Sequence, residues 1–270
     1  MSGKPWVDLI IVSYNTRSLL KKNIESIEKY TDFPYRIWVI DNHSKDATKD
    51  LARFFPRVRW VWNQTNRGYG QACNQGFEMG QGDYVAFLNC DLLMTAHWLS
   101  PLIHRLESDE SIALVGPKLL SPDGRVIGAG VIGTNANPIN RGFNLPDDHH
   151  RYNFPMDCIS LCGAALLAKR TLLKEKIGLF DPNYFHYFEE TDLCFQARSL
   201  GYRIVYEPDS VLIHHLSKSC NNNQFLHDQF QRSKSYFELK WKEFLNDEQL
   251  YEEKPCCCTN RGERSGPLSL

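Results

Sequence analysis

Residues 7–30 read VDLIIVSYNTRSLLKKNIESIEKY, and the change of rhythm within them decides the fold. Residues 7–13 (VDLIIVS) form a short, mostly apolar run that closes on Ser13, Tyr14 and Asn15. From residue 16 to 30 the spacing changes: Leu19, Leu20, Ile24 and Ile27 recur at three- and four-residue intervals, on one helical face. A strand apolar on both faces, followed by an amphipathic helix, is the unit of a parallel sheet covered by helices on both sides. The unit then repeats. Residues 36–40 (RIWVI), 58–62 and 84–88 (YVAFL) read as strands. Residues 44–54 read as a helix with Ser44 at its N-cap, and residues 70–79 as the next helix. The expected fold is α/β, a doubly wound, mostly parallel sheet flanked by helices.

Beyond Leu114 the alternation stops. Pro122-Asp123-Gly124 marks a turn inside a hairpin over residues 116–132, and residues 133–157 read as one long loop, a candidate lid. Residues 189–200 read as a helix closed by Gly201, and residues 203–206 and 211–215 as two strands. Residues 223–246 read as an amphipathic helix with Leu226, Phe230, Phe237, Trp241 and Phe244 near one face. Its basic residues Arg232, Lys234, Lys240 and Lys242 leave peripheral membrane contact open, with docking on the sheet the expected case. From Asp247 onward the chain reads as a disordered polar tail.

The 270 residues hold 31 Lys+Arg against 32 Asp+Glu, a formal net charge of −1, without the basic excess of a nucleic-acid binder. At 42% hydrophobic and 12% aromatic the chain is too apolar for a disordered one. Its apolar runs fall far short of the roughly 18 residues that span a bilayer. The first of them follows Asp8 without a signal-peptide pattern, so a cytoplasmic chain is expected. Nine cysteines, an odd number without zinc-finger spacing, read as free thiols in a reducing compartment.

In an open parallel sheet, ligands bind beyond the carboxyl ends of the strands. Those ends carry Ser13-Tyr14-Asn15, Asp41-Asn42, Asn63 to Asn66 and Asn89-Cys90-Asp91. Turn and capping chemistry accounts for Asn42, Ser44 and Asn63. Asp41 and Asp91 each follow a buried strand and face one crevice, where a carboxylate can accept from a base or ribose or bind a hard cation. Two glycines, Gly68 and Gly70, precede a helix without dinucleotide or P-loop spacing.

Six ordered motifs now stand together: VSYN (12–15), VIDNHSKD (39–46), NRGYGQACNQG (66–76), YVAFLNCD (84–91), YFEETDLCFQARSLGYR (187–203) and HH (214–215). In this order they resemble the inverting glycosyltransferase family 2, with the GT-A fold, and within it the rhamnosyltransferase-like branch of cell-surface polysaccharide synthesis. The resemblance runs from about residue 6 to 245. It implies one GT-A domain over residues 1–246. Residues 1–115 would bind a nucleotide-sugar, possible dTDP-rhamnose included, and the smaller part, 116–246, would face a glycan or lipid-linked acceptor.

By the same resemblance Ser13, Tyr14, Asn15 and Asp41 match positions that hold base and ribose, with Arg67 and Gly68 in the loop beside them. Asp91 matches the last acid of the family's D-x-D motif, which holds Mg²⁺ or Mn²⁺ on the diphosphate; Asn89 replaces the first acid. Glu190 falls at the catalytic base, where the family has Asp, and this leaves Glu189, Glu190 and Asp192 as candidates. His214 or His215 matches a histidine that reaches the metal or diphosphate.

These types suit the chemistry. A carboxylate can take the acceptor's proton, and a divalent ion can neutralise the departing diphosphate. A nucleotidyltransferase would carry an early basic, Gly-rich phosphate loop, which is absent. A degenerate relative that binds glycans or nucleotide-sugars without catalysis is the other reading, kept open by Asn89 and by Glu in place of Asp.

Overall fold

The computed structural model describes residues 4–216, 223–246 and 251–252. Four parallel strands open the chain: β1 (Val7–Ser13), β2 (Tyr35–Asp41), β3 (Arg59–Trp62) and β4 (Tyr84–Asn89). In space they run β4-β1-β2-β3, so the chain returns past β1 to lay down β4 on its other side. The β1/β4 junction is therefore the switch point, where a crevice opens beyond the carboxyl ends. Antiparallel β11 (Ala165–Lys169) joins β4 to β6 (Ile112–Leu120), and β12 (Arg203–His214) runs parallel to β6. Short strands complete the chain: β5 (Leu92–Met94) on β12, β7 (Val126–Gly128) on β6, and β10 (Met156–Asp157) at the edge. β8 (Val131–Gly133) and β9 (Pro138–Asn140) form a separate ribbon.

Alternate side chains feed two cores on opposite faces of the sheet, as strand geometry requires. Leu9 and Ile11 of β1 and Ala86 and Leu88 of β4 meet helices α1 (Arg17–Tyr30) and α3 (Leu99–Glu107). Ile10 and Phe87 meet α2 (Tyr69–Met79) and, through Leu193, Cys194 and Ala197, the helix at Glu189–Ser199. That helix is α6, because two short ones, α4 (His149–Tyr152) and α5 (Arg170–Leu172), precede it. Last come α7 (Asn223–Lys240) and α8 (Lys242–Leu245).

Several elements depart from the sequence reading. The second helix is a 3-10 segment, Ala47–Arg53, capped by Asp46, whose carboxylate accepts from Thr48 N at 3.1 Å and Arg17 N at 3.0 Å. Ser44 instead accepts from Asn15 N at 2.8 Å. The two strands expected over 203–215 are one, β12, carried through Pro208 by a bulge between Glu207 and Val211. The bulge leaves a position where proline's missing N–H costs no ladder bond. Residues 133–157 are not a bare loop: β9, α4 and β10 lie in them. There the buried Arg141 packs over the rings of Tyr152, Phe154 and Tyr206.

The last long helix breaks at Trp241, and it docks on α6 and the segment before it rather than on the sheet. Phe237 joins Phe195 and Tyr184 in a third apolar cluster. Of the expected tail, Tyr251 is held, bridging to Gly133 with its ring beneath Arg198. Residues 247–250 and 253–270, with Cys256 to Cys258, lie outside the described residues. Cys73, Cys90, Cys158, Cys162 and Cys194 are free thiols. No helix among the described residues is long and apolar enough to cross a membrane.

Candidate active site

A cleft of about 800 Å³ lies at the switch point. The turn after β1 contributes Tyr14 and Thr16, and the turn after β4 contributes Asn89, Cys90 and Asp91. Asn66, Gly68 and Tyr69 come from the entry to α2, and His214 from the end of β12. Phe185, His186 and Tyr187 form part of the wall, with Phe225 and Leu226 of α7.

The motif loops are braced against one another. Asn42 Nδ2 donates to the Gly68 carbonyl at 2.9 Å, and Gly68 N donates to Asn66 Oδ1 at 2.9 Å. Gly68 has φ +83°, and a Cβ there would meet the Phe185 carbonyl oxygen at 2.3 Å. Glycine is thus required twice, by the left-handed backbone and by the close approach of the 180s segment. Tyr69 N donates to that same carbonyl at 3.2 Å.

Asp91 and His214 come together although 123 residues separate them. His214 Nε2 lies 3.2 Å from Asp91 Oδ1, both side chains are under 10% exposed, and His215 N donates to the Asp91 carbonyl at 3.1 Å. A carboxylate oxygen and an imidazole nitrogen this close can share one divalent ion. No group of three or more His, Cys, Asp or Glu able to hold a metal occurs among the described residues. The protein set therefore fits an ion that keeps most of its coordination for phosphate and water, as Mg²⁺ commonly does.

The acidic cluster divides. Asp192 is fully buried and saturated: Tyr184 Oη donates to it at 3.1 Å, Gln196 Nε2 at 2.5 Å, Lys240 Nζ at 2.9 Å and Trp241 Nε1 at 2.7 Å. It faces α7, not the cleft. Glu190 packs against Gly163, where a Cβ would lie 2.8 Å from its Cγ. Burial, then the Glu189 charge, push its pKa up to about 7. Glu189 is buried, with Nδ1 of His186 3.7 Å from its Oε1.

Four residues singled out from sequence carry buried polar atoms without a partner: Asp41 Oδ2, Glu189 Oε2, His214 Nδ1 and His215 Nε2. Buried polar groups are rarely left so, and each such atom asks for an occupant. Asp41 is fully buried, its Oδ1 accepting from Ser44 N at 2.9 Å. Ser13 is fully buried as well, its hydroxyl 3.1 Å from that of Thr16. Asn15 accepts from Lys45 N at 2.7 Å, and Arg67 is exposed. Ser13, Asn15, Asp41, Arg67, Glu189, Glu190, Asp192 and His215 are not among the lining side chains; Tyr14, Gly68, Asn89, Asp91 and His214 are.

One expectation is corrected. No residue of the 133–157 segment, expected as a lid, lines the cleft; Phe225 and Leu226 of α7 do. Tyr184 is fully buried in the third apolar cluster, while Phe185 next to it lies in the wall. His186 lines the cleft although no motif singles it out; its one signal in the sequence is a polar ring three residues before Glu189.

Sheet order and the cleft at the switch point are those of the GT-A fold. The sequence model described as glycosyl transferase family 2 matches residues 8–158, and the chain belongs to that family. Protein y4gI of Sinorhizobium fredii is 29% identical over 258 residues, 90% of this chain and 28% of the relative. N-acetylglucosaminyl-diphospho-decaprenol L-rhamnosyltransferase of Mycobacterium tuberculosis is 24% identical over 250 residues, 81% of this chain and 79% of that enzyme. Among solved structures, mannosyltransferase PcManGT of Pyrobaculum calidifontis, in complex with GDP-Man and Mn²⁺, superposes with a TM-score of 0.63 at 18% identity. That superposition covers 92% of this chain and 66% of the mannosyltransferase. The chain thus spans just over a quarter of the first relative's length and about two thirds of the mannosyltransferase.

Proposed function

We propose that the chain is a metal-dependent, inverting glycosyltransferase. It would move a sugar, with rhamnose from dTDP-rhamnose the leading candidate, from a nucleotide-diphosphate donor to a hydroxyl of a glycan or lipid-linked acceptor in polysaccharide synthesis. The observation that carries this reading is the Asp91–His214 pair, 3.2 Å apart in the lining of the switch-point cleft. The name of the mycobacterial relative supports the sugar and a lipid-linked acceptor.

The donor's base and ribose lie along Tyr14, Asn15, Arg67 and Gly68, with Ser13 and Asp41 behind them. The orphan Oδ2 of Asp41 accepts from a base N–H or a ribose hydroxyl. Asp91 and His214 would hold Mg²⁺ or Mn²⁺, with the Asn89 amide beside them and His215 N fixing the turn by donating to the Asp91 carbonyl. When bound, the ion neutralises charge on the departing diphosphate. The acid pair Glu189–Glu190 supplies the basicity that lets the acceptor hydroxyl attack. Held near pH 7 by its surroundings, Glu190 is tuned for that role. Asp192 serves instead to fix α6.

The test is donor binding and hydrolysis over a panel of UDP-, GDP- and dTDP-sugars with Mn²⁺, Mg²⁺ or EDTA. One donor is expected to bind only with metal. Asp91→Ala loses that binding, and Glu190→Gln keeps it while turnover falls by about a hundredfold or more. A chain that binds no donor under any condition would overturn the reading in favour of a non-catalytic glycan-binding relative.

A further inference from the structure

We propose that a second cavity, next to the cleft, is an acceptor subsite for the saccharide ring adjoining the sugar whose hydroxyl is glycosylated, so that the chain extends acceptors of two or more sugars. This rests on the glycosyltransferase reading above and deepens its acceptor side. The cavity holds about 500 Å³, a volume suited to a small ligand, between the segment before α6 and helix α7. Asn183, Phe185, Phe225, Gln229, Arg232 and Ser233 line it. Phe185 and Phe225 line the cleft as well, so the two spaces share one aromatic wall.

Helix α7 gives this cavity side chains that its own docking does not use. Phe230, Ser233 and Phe237 fall at three- and four-residue spacing and hold the helix down. Phe230 meets the rings of Tyr187 and Phe188, with centroids 5.6 and 5.5 Å away, and Phe237 joins the third apolar cluster. Ser233 Oγ donates to the His186 carbonyl at 2.8 Å. Phe225, Gln229 and Arg232 recur at the same spacing one position earlier, on the adjoining face about 100° round the helix. Neither Gln229 nor Arg232 has a hydrogen bond or ion pair among the described residues.

The lining suits a sugar ring. A pyranose has an apolar C–H face and a rim of hydroxyls; aromatic side chains pack on the first, and amide or guanidinium groups pair with the second. Phe225 is 43% exposed and meets Phe185 edge to face, with centroids 6.0 Å apart at 85°, so the shared wall keeps exposed ring surface. Asn183 Nδ2 donates to Asp181 Oδ1 at 2.8 Å and to Tyr236 Oη at 3.0 Å, which leaves its Oδ1 as a fixed acceptor. Arg232 supplies a planar fork of donors, and Gln229 can donate or accept. Hydroxyls, which also do both, match that set. A phosphate group only accepts and would leave Asn183 Oδ1 without a partner. Arg232 is moreover the one charged side chain in the lining among the described residues, against the two charges of a diphosphate.

The shared wall also sets the ligand's place relative to the reaction. The Phe185 carbonyl accepts from Tyr69 N at 3.2 Å on the cleft side, and the carbonyl of the next residue, His186, is held by Ser233 of the cavity. The two spaces therefore keep a fixed spacing. A ring seated in the cavity leaves its neighbour along the glycan to enter the cleft past Phe185 and Phe225. An acceptor of one sugar lacks the cavity contacts and binds through the cleft alone.

The experiment uses the full chain and whichever nucleotide-sugar of the panel the wild type hydrolyses fastest. Methyl glycosides of single sugars, the matching disaccharides and polyprenyl-diphosphate monosaccharides serve as acceptors, read as nucleoside diphosphate released above hydrolysis. At least one disaccharide is expected to show a KM about tenfold or more below that of its terminal monosaccharide. Arg232→Ala and Gln229→Ala should each raise that disaccharide KM by about fivefold or more, with the monosaccharide KM unchanged as the sign that the fold is kept. Lys234→Ala, which removes an α7 lysine paired with Glu238 outside the cavity, should move neither value. A disaccharide KM that both cavity variants leave alone overturns the proposal, as does a panel in which no disaccharide betters its monosaccharide. Polyprenyl diphosphates used to the exclusion of disaccharides, with a KM that Arg232→Ala raises, overturn it in favour of a diphosphate subsite. In each of these cases donor hydrolysis persists and the glycosyltransferase reading stands. A wild-type chain that hydrolyses no donor overturns that reading, and the proposal with it.

Discussion

At Glu190 the surroundings work against ionisation: burial first, then the adjacent Glu189, carry its pKa from 4.5 to about 7. The unfolded chain releases this proton near the ordinary value, the folded chain only near 7. Between the two the folded state holds more protons, so the Glu190 contribution to stability falls as pH rises through that window. Glu190→Gln removes the cost. Relative to wild type it should be more stable by about 1–3 kcal/mol at pH 8 and nearly unchanged at pH 4, below both values. Urea unfolding at the two pH values measures this, and a gain equal at both would mean that Glu190 is not the titrating group. The sequence brought three acids into one turn and could not rank them. What separates Asp192 from its neighbours is contact with Lys240 and Trp241, about fifty residues later, which no local pattern encodes.

Helix α7 is tied to the site through that contact. Asp192 on α6 accepts from Lys240 and Trp241, Tyr236 donates to Asp181 at 3.0 Å, and Ser233 holds the carbonyl of His186. The first turn of α6, which carries Glu189 and Glu190, is thus braced by α7 on one side as the second core braces it on the other. Asp192→Asn keeps the shape but removes the charge that Lys240 faces, and should destabilise the fold by about 2–4 kcal/mol. Lys240→Ala should cost less, because its ammonium is partly exposed and its desolvation is incomplete. Thermal unfolding of the two variants checks the order; a larger loss for Lys240→Ala would show that the latch is not centred on the buried carboxylate. Elements with a strong period were legible, β1, α1, β2, α2 and β4 above all. Those missed depend on competition the sequence leaves unresolved. Ser44 and Asp46 both cap well, and the backbone of Asn15 claims Ser44. Glu207-Pro208-Asp209 reads as a turn until β6 holds β12 straight through it.

On the scale of the whole molecule, the cleft joins parts of the sheet that fold from distant stretches of chain. Asp91 follows β4, within the parallel half that was plain in the sequence, while His214 ends β12 on the other side of β11 and β6. A ligand crevice beyond the carboxyl ends of the parallel strands was foreseeable from strand–helix alternation; that it opens between β1 and β4 follows from the strand order alone. The pairing of Asp91 with His214 was legible only through the family resemblance and in no local pattern, since it depends on the register of β12 against β5, where His214 stands opposite Leu92. With two protein donors of its own, such a site binds a divalent ion weakly until phosphate oxygens complete the shell. Metal and nucleoside diphosphate should then each raise the other's affinity by the same factor. Both bind only the folded chain, so together they should raise the melting temperature by more than the sum of their separate effects. At a hundred times the joint dissociation constant the stabilisation is about 2.7 kcal/mol, roughly 5 °C or more for a chain of this size. Differential scanning calorimetry with Mn²⁺ alone, nucleoside diphosphate alone and both together gives the comparison. Asp91→Ala should abolish the excess while leaving the melting temperature of the bare chain within a few degrees. Additive shifts in the wild type would instead mean that metal and diphosphate bind at separate places, and that Asp91 and His214 are a buried ion pair bracing the two sides of the sheet.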